Sequence, residues 1–146
     1  FYEIIKNFKT SAYGEIYLLS FKMFIDNPLT GVGINNFKFL CNGNNLYQNM
    51  MVHYECASHP HNIYIQWLTE GGLIVFVLFI IYLIFLIFFI LNNNGEKKYK
   101  VISIAVIIIM FWPIMSTGSL IKNWFGVSTF FIVGLCICLS KFRNNS

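Results

Sequence analysis

Three histidines in the first half of the chain are the side chains best suited to chemistry near neutral pH. His53, His59 and His61 fall within nine residues of one another. An imidazole with its ordinary pKa of about 6.5 is largely neutral at pH 7, so it can accept the proton of a hydroxyl group. The cluster therefore suits a catalytic base, a set of structural histidines, or a metal site with His53 or Glu55 as its third ligand.

The spacing of these histidines argues against the metal site. A helix is expected to start within the sequence His59-Pro60-His61, and such a start should turn the two rings apart. The chain also lacks an HExxH pattern. We therefore expect no metal ion and no other cofactor, which leaves catalysis and a structural role as the main interpretations.

Polar side chains continue from the histidines into the predicted helix. Pro60 suits the first position of a helix that runs on into the apolar segment after it, with Ser58 as the N-cap. Asn62, Gln66 and Glu70 follow at intervals of four residues and share one helical face. This stripe fits the lining of a site for a polar head group, and it equally fits a solvated face.

The composition indicates the kind of molecule that must position these residues. Of the 146 residues, 57% are hydrophobic and only 11% are charged, against roughly a quarter in an ordinary soluble domain. The mean hydropathy is +0.64. These values exclude a simple soluble globule, a disordered tail and a nucleic-acid binder that depends on dense charge. They favour an all-α integral membrane protein in contact with the lipid bilayer.

Three apolar segments are predicted to cross the membrane. They are residues 72–91, 101–118 and 124–140, and the first is uncharged and long enough to span about 30 Å as a helix. Pro113 should end or kink the second segment near one membrane face. Because the chain begins at Phe1 without a signal-peptide pattern, we expect it to be a fragment of one larger membrane domain.

The basic residues orient these segments. Three lysines in the turn between the first two segments share one side of the membrane with Lys141 and Arg143, which follow the third. The positive-inside rule places that side, and with it the C-terminus, in the cytoplasm. Residues 1–71 should then form a mostly helical periplasmic loop. Trp112 and Trp124 should lie together at the outer interface, where aromatic belts occur.

Residues 15–26 predict an amphipathic helix within this loop. Ile16, Leu19 and Met23 fall on one broad face of it, and Glu15 falls elsewhere. The pattern fits a helix that lies on the membrane surface and also a helix that packs against the rest of the loop.

Glycines and cysteines of the loop suggest two further features. Gly31 and Gly33 permit a tight turn or a close approach of the backbone to a ligand. Cys41 and Cys56 are able to form a disulfide in an oxidising compartment.

Two segments of the chain resemble the O-antigen ligase and O-antigen polymerase family of bacterial membrane glycosyltransferases. The first is DNPLTGVGINNF at residues 26–37, which resembles a PL-x-GVG-x-x-NF segment in the family's large periplasmic loop. The second is HPHNIYIQWLTEGGLIVFVL at residues 59–78, which starts the ligase-type pattern at His61 and Asn62 and departs from it at Val75. A large loop followed by three spans and a cytoplasmic C-terminus is also the family's topology.

The resemblance implies a metal-independent transfer of a glycan from undecaprenyl pyrophosphate to a sugar hydroxyl, for lipopolysaccharide or surface-polysaccharide assembly at the bacterial inner membrane. The acceptor would be lipid A-core or another glycan, and His61 would be the catalytic base. Tyr13 stands about where the family often carries an arginine, so Lys22 or Lys38 would neutralise the leaving phosphates. The implied substrate-binding residues are Gly31, Gly33, Asn36, Lys38, His59, Asn62, Gln66 and Glu70.

Two alternatives stay open. An O-antigen polymerase would use the same donor and compartment but would extend the lipid-linked glycan. An inactive or non-enzymatic membrane remnant would not need His61. The pattern that begins at His61 and Asn62 favours the ligase.

Overall fold

The structure is a computed structural model that describes residues 7–143 of the chain. All regular elements in this range are helices, which confirms the all-α prediction. The chain forms two compact units, Phe1–Val77 and Leu78–Ser146. The loop and the beginning of the first apolar segment therefore belong to the same unit.

The first unit contains a short 3-10 turn at Phe8–Thr10, three helices and the beginning of a fourth. The helices are α1 (Ala12–Asp26), α2 (Phe37–Gly43), α3 (Asn45–Gln48) and α4 (Ile63–Asn92). Ser11 begins α1 because its Oγ accepts a hydrogen bond from the N–H of Gly14 at 3.1 Å, which satisfies an otherwise unpaired donor of the first turn. The helix predicted over residues 15–26 is confirmed, and it starts earlier, at Ala12.

The predicted apolar face of α1 is buried in the first unit. Leu19 and Met23 are fully buried, and they share a core with Phe37 and Cys41 of α2 and Tyr47 of α3. Burying one large apolar side chain stabilises a fold by about 1.5–3 kcal/mol. This face of α1 therefore packs on the rest of the loop, which decides between the two arrangements that fit its pattern.

Cys41 and Cys56 form a disulfide, with their Cα atoms 5.9 Å apart. The bridge joins α2 to the segment that leads to the histidines. It closes a sequence separation of 15 residues, and in the chain-entropy account a loop of this size stabilises the folded state by about 3 kcal/mol.

The fourth helix is interrupted at Gly72. The backbone angles there are φ 65° and ψ −168°, a conformation essentially restricted to glycine. Such a break leaves carbonyl groups unpaired before it and N–H groups unpaired after it. The prediction of one uninterrupted helix from Pro60 into residues 72–91 is wrong, since α4 begins at Ile63 and breaks at Gly72.

Residues 27–33, hereafter the crossing segment, pair with both sides of this break. Before the break, the N–H groups of Val32 and Gly33 donate to the carbonyl oxygens of Thr69 (2.9 Å) and Glu70 (3.0 Å), respectively. After the break, the N–H groups of Leu73 and Ile74 donate to the carbonyl oxygens of Pro28 (2.9 Å) and Leu29 (3.3 Å), respectively. The groups exposed by the break are thereby satisfied, and each bond contributes about 1 kcal/mol net.

Gly31 and Gly72 meet backbone to backbone where the two stretches cross. A Cβ atom on Gly31 would lie 2.5 Å from the main-chain nitrogen of Gly72 and from the carbonyl oxygen of Glu70. Gly31 also has a left-handed φ of 65°, which favours glycine. The turn expected at Gly31 and Gly33 is thus a close approach between two parts of the protein backbone.

The second unit contains the rest of α4 together with α5 (Lys97–Met110) and α6 (Asn123–Ser140). Among the described residues, α4 is the one helix long and apolar enough to cross a membrane by length and composition, and Trp124–Ser140 is a shorter apolar helix. The second predicted segment was expected to reach residue 118, but its helix ends at Met110. Pro113 has no N–H and disfavours helical backbone before it, which accounts for the early end.

Polar contacts join the helices of the second unit. Ser103 Oγ donates to the carbonyl oxygen of Cys136 at 2.9 Å and links α5 to α6. Lys100 Nζ donates to the carbonyl oxygens of Leu91 (3.0 Å) and Asn93 (2.9 Å) near the end of α4. A cation at a helix C-terminus is favourable because it satisfies unpaired carbonyl groups.

Candidate active site

His59 and His61 lie side by side just before α4. Their ring centroids are 4.3 Å apart and their planes are inclined by 44°. The prediction that the rings point apart is wrong, because the helix starts only at Ile63 and His61 precedes it with a left-handed φ of 57°. His59 is buried, and its Nδ1 lies 2.8 Å from the Oγ of Ser58. His61 is partly exposed, so it is the member of the pair that is accessible from solvent.

The backbone of His61 is held in an unfavourable conformation. A left-handed φ at a non-glycine residue costs about 1–3 kcal/mol and persists only where neighbouring contacts impose it. Tyr13 at the beginning of α1 supplies one such contact, since its ring meets the ring of His61 at 80° with centroids 6.1 Å apart. Sequence reasoning had named Tyr13 only as the residue near an expected arginine position. Residues strained in this way cluster at active sites.

Asn62 begins α4 and thereby fixes where the preceding residue lies. Its Oδ1 accepts hydrogen bonds from the N–H groups of Tyr64 (3.0 Å) and Ile65 (3.1 Å), which is the arrangement of an N-cap. The prediction that Ser58 caps a helix starting at Pro60 is therefore wrong. Asn62 is buried, and its side-chain oxygen serves the helix.

Gln66 and Glu70 belong to a buried polar network. Only 3% and 1% of their surfaces are exposed. Gln66 Nε2 donates to one carboxylate oxygen of Glu70 at 2.9 Å, and the other oxygen accepts the N–H of Phe37 at 3.3 Å. Because a buried carboxylate is costly unless it is hydrogen-bonded, this network fixes the start of α2 against α4. The alternative of a solvated stripe is wrong.

The glycines and the asparagine predicted to bind substrate lie in and beside the crossing segment. Their polar groups donate to carbonyl oxygens of the protein: Gly31 N–H to Asn27 (2.9 Å), Gly33 N–H to Glu70 (3.0 Å) and Asn36 Nδ2 to Val32 (3.0 Å). The two glycine N–H groups are thus engaged within the protein and are not directed at a donor phosphate.

The third histidine, His53, has a different partner. Its Nδ1 lies 2.6 Å from Glu15 Oε1, and its main-chain N–H donates to both carboxylate oxygens at 3.2 Å. Glu15 is buried, whereas the side chain of His53 is largely exposed. Burial by itself raises the pKa of Glu15, but the hydrogen bonds and charge of His53 outweigh it and hold this pKa below its ordinary value. The helical periodicity of residues 15–26 places Glu15 away from the apolar face, so the sequence does not predict this contact.

The remaining candidates lie in other surroundings. Lys22 pairs with Asp26 in the next turn of α1. Lys38 and Glu55 line a polar cavity beside Cys56. Within residues 7–143, no group of three or more His, Cys, Asp or Glu side chains is placed to hold a metal ion.

Asp26 also anchors the end of α1 to α3. The hydroxyl of Tyr47 donates to Asp26 Oδ2 at 2.9 Å. The hydrogen bond from Lys22, followed by that from Tyr47, lowers the pKa of Asp26. Burial, together with the bond to Asp26, raises the pKa of Tyr47 to about 12. This contact holds two helices of the first unit together and takes no part in the histidine pair.

Among models of known protein families, the one described as O-Antigen ligase matches residues 5–80. The matched range is just over half of the chain, and it includes α1, the crossing segment, the histidine pair and the break at Gly72. No curated protein and no solved structure matches the chain.

Proposed function

Because the chain belongs to the O-antigen ligase family, whose members are membrane-associated and transfer glycans, we propose that it moves a glycan from undecaprenyl pyrophosphate to a sugar hydroxyl with His61 as the general base. The acceptor is lipid A-core or another surface glycan. One observation carries the proposal: the partly exposed His61 lies against the buried His59, with 4.3 Å between ring centroids, inside the segment that matches the family.

The proposed reaction needs one base. The oxygen of the acceptor hydroxyl attacks the anomeric carbon of the donor sugar, and the bond from that carbon to the pyrophosphate oxygen breaks. The pyrophosphate leaves with the electron pair, and the proton of the hydroxyl passes to a ring nitrogen of His61. Since pyrophosphate is a good leaving group, no acid has to protonate it. A positioned base of this kind typically contributes about 10²–10⁴-fold to the rate.

The other predicted site residues fit this mechanism mainly as positioning residues. His59 contacts the ring of His61, and Asn62 caps the helix that follows. Gly33 and Glu70 bond the crossing segment and α2 to α4, and Gln66 holds the carboxylate of Glu70. Gly31 and Asn36 make their hydrogen bonds within residues 27–36. Lys38 stays a proposed substrate-binding residue in the polar cavity.

The proposal includes a multi-pass location in the bacterial inner membrane. Residues 1–71 lie in the periplasm, the three predicted spans follow, and the C-terminus is cytoplasmic. The Cys41–Cys56 disulfide supports the periplasmic assignment because disulfides persist in oxidising compartments. The three lysines in the first turn of α5 support a cytoplasmic location for this end of the helix.

Deletion of the gene that encodes this chain, followed by rescue with variants, tests the proposal. Electrophoresis of the surface polysaccharide is the measurement. A ligase predicts long glycan chains that accumulate on the lipid carrier while the acceptor stays unmodified. A polymerase predicts an acceptor that carries a single repeat. An unchanged polysaccharide after deletion would rule out the transfer itself.

His61→Asn is the informative rescue variant. Asparagine tolerates a left-handed backbone but is not a base, so the fold should persist while transfer falls about 10²–10⁴-fold. His53→Asn is the matched control, since it keeps the main-chain N–H that bonds Glu15, and it should rescue fully. The Cys41–Cys56 bridge on a non-reducing gel reports folding of each variant. Full rescue by His61→Asn would rule out His61 as the base.

A further inference from the structure

A polar cavity of about 410 Å³ lies beside the Cys41–Cys56 disulfide in the first unit. Five polar side chains from α2, α3 and the loop after them line it: Lys38, Asn42, Gln48, Tyr54 and Glu55. The volume falls within the roughly 300–1,000 Å³ of small-molecule sites. None of these side chains belongs to the histidine pair, so the proposed role of His61 does not explain what the cavity binds.

The lining has the hydrogen-bonding chemistry that a sugar requires. Each sugar hydroxyl both donates and accepts, and the amides of Asn42 and Gln48 do the same. The ammonium group of Lys38 adds donors, and the carboxylate of Glu55 adds acceptors. Tyr54 leaves 47% of its surface exposed, and its ring offers an apolar surface with a polar tip to the mixed faces of a pyranose.

The two charges in the lining distinguish between classes of ligand. The lining carries one cation, Lys38, and one anion, Glu55. Their effects on a charged ligand oppose each other, so the pair favours neither an anion nor a cation, whereas a neutral polyhydroxyl compound can bond to both groups. We propose that this cavity is a carbohydrate subsite for a neutral sugar unit that does not itself react. That this unit belongs to the glycan donor or acceptor rests on the proposed function.

The cavity and the histidine pair share one loop. Cys56 lines the cavity and His61 follows five residues later, and five extended residues reach at most about 18 Å. The disulfide fixes the loop at the cavity. A short oligosaccharide with its reacting hydroxyl at His61 therefore has a later sugar unit within reach of the subsite.

Glycan binding tests this subsite directly. The full chain, purified in detergent, is applied to a printed array of neutral, amino-sugar and acidic oligosaccharides. We expect the wild type to bind a subset of the neutral ones, and Asn42→Ala and Tyr54→Ala each to weaken that binding about tenfold. Tyr54→Phe should retain binding because it keeps the ring. The matched control is Asn45→Ala, an exposed asparagine outside the lining, which should bind like the wild type.

Three results would overturn the subsite: no glycan binding by the wild type, equal binding by Asn42→Ala and Asn45→Ala, or binding confined to acidic oligosaccharides. His61→Asn separates this inference from the proposed function, because the subsite predicts that this variant binds the array normally. Retained transfer by His61→Asn would contradict the assignment of the base alone. An unchanged KM for the glycan in Asn42→Ala would contradict the subsite alone.

Discussion

At the scale of single residues, the buried carboxylate of Glu15 makes the first unit sensitive to acid. Burial alone raises its pKa, but the hydrogen bonds from His53 hold this pKa below the ordinary value of 4.5. The unfolded chain therefore binds more protons than the folded chain as the pH falls. The stability that Glu15 contributes is fully present above about pH 4.5, and it is lost as the pH falls through the folded-state pKa.

Glu15→Gln should remove this acid-sensitive contribution. We expect the Tm of the first unit, followed by circular dichroism, to fall more between about pH 6 and about pH 3.5 in the wild type than in the variant. The variant should already melt earlier at the higher pH. Asp26 also has a lowered pKa, but it titrates in both proteins, so the difference isolates Glu15. Parallel curves would contradict this account.

The sequence shows which titratable side chains cluster along the chain, but it does not show how they are arranged. Three clustered histidines were visible as residue types, but the facing rings of His59 and His61 depend on a left-handed φ at His61 that no spacing rule contains. Glu15 was missed for a related reason. Its helical face looked polar from α1 alone, and its partner His53 comes from a distant loop.

At the scale of elements, the break in α4 depends on glycine at residue 72. A Cβ atom there would overlap the carbonyl oxygen of Leu29 and the nitrogen of Gly31, and the left-handed φ adds strain for any other residue. Gly72→Ala should therefore destabilise the first unit by at least about 2 kcal/mol. The measurement is the Tm in detergent, together with formation of the Cys41–Cys56 bridge.

The same substitution at Gly43 provides the control. Gly43 lies at the end of α2, and a Cβ atom there would meet nothing within 4 Å. Gly43→Ala should be neutral or stabilising by up to about 1 kcal/mol. Equal Tm values for the two alanine variants would show that the crossing does not depend on a glycine at residue 72.

The break itself is beyond what helical periodicity can reveal. Apolar residues continue on both sides of Gly72, so the local pattern indicates one helix. The interruption is stable only because residues 27–33 supply acceptors and donors from another part of the chain. The glycines at 31 and 33 were visible as a turn or a close backbone approach. The sequence alone does not show that these glycines approach α4, because that contact forms only in the tertiary structure.

At the scale of the whole molecule, the helical class and a membrane-capable helix follow from composition and hydropathy. Composition and hydropathy are averages over many residues, so no single residue changes the prediction drawn from them. The first and last residues of a helix depend on one or two local side chains and are therefore harder to predict. The helix of the second apolar segment stops at Met110 because of the local effect of Pro113, and α4 begins at Ile63 because Asn62 caps it.

The proposed orientation of the chain predicts which lysine positions are accessible from outside the inner membrane. In this orientation Lys9 would lie in the periplasmic part, Lys98 on the cytoplasmic side and Lys122 between the second and third spans. Each is replaced singly by cysteine in a chain whose free Cys136 and Cys138 are alanine. After the outer membrane is permeabilised, a membrane-impermeant maleimide should label Lys9→Cys and Lys122→Cys. Lys98→Cys should react only once the inner membrane is opened.

All three variants replace a lysine by a cysteine, so differences in labelling between them report the side of the membrane on which each residue lies. Labelling of Lys98→Cys in cells with a closed inner membrane would place the turn outside and contradict the orientation. An unlabelled Lys122→Cys beside a labelled Lys9→Cys would mean that the α5 segment does not cross.

The labelling of Lys122→Cys matters because α5 is too short to cross the membrane by itself. Its 14 residues reach about 21 Å as a helix, against about 30 Å of hydrocarbon. A crossing therefore requires residues 111–118 to complete the span outside the helix.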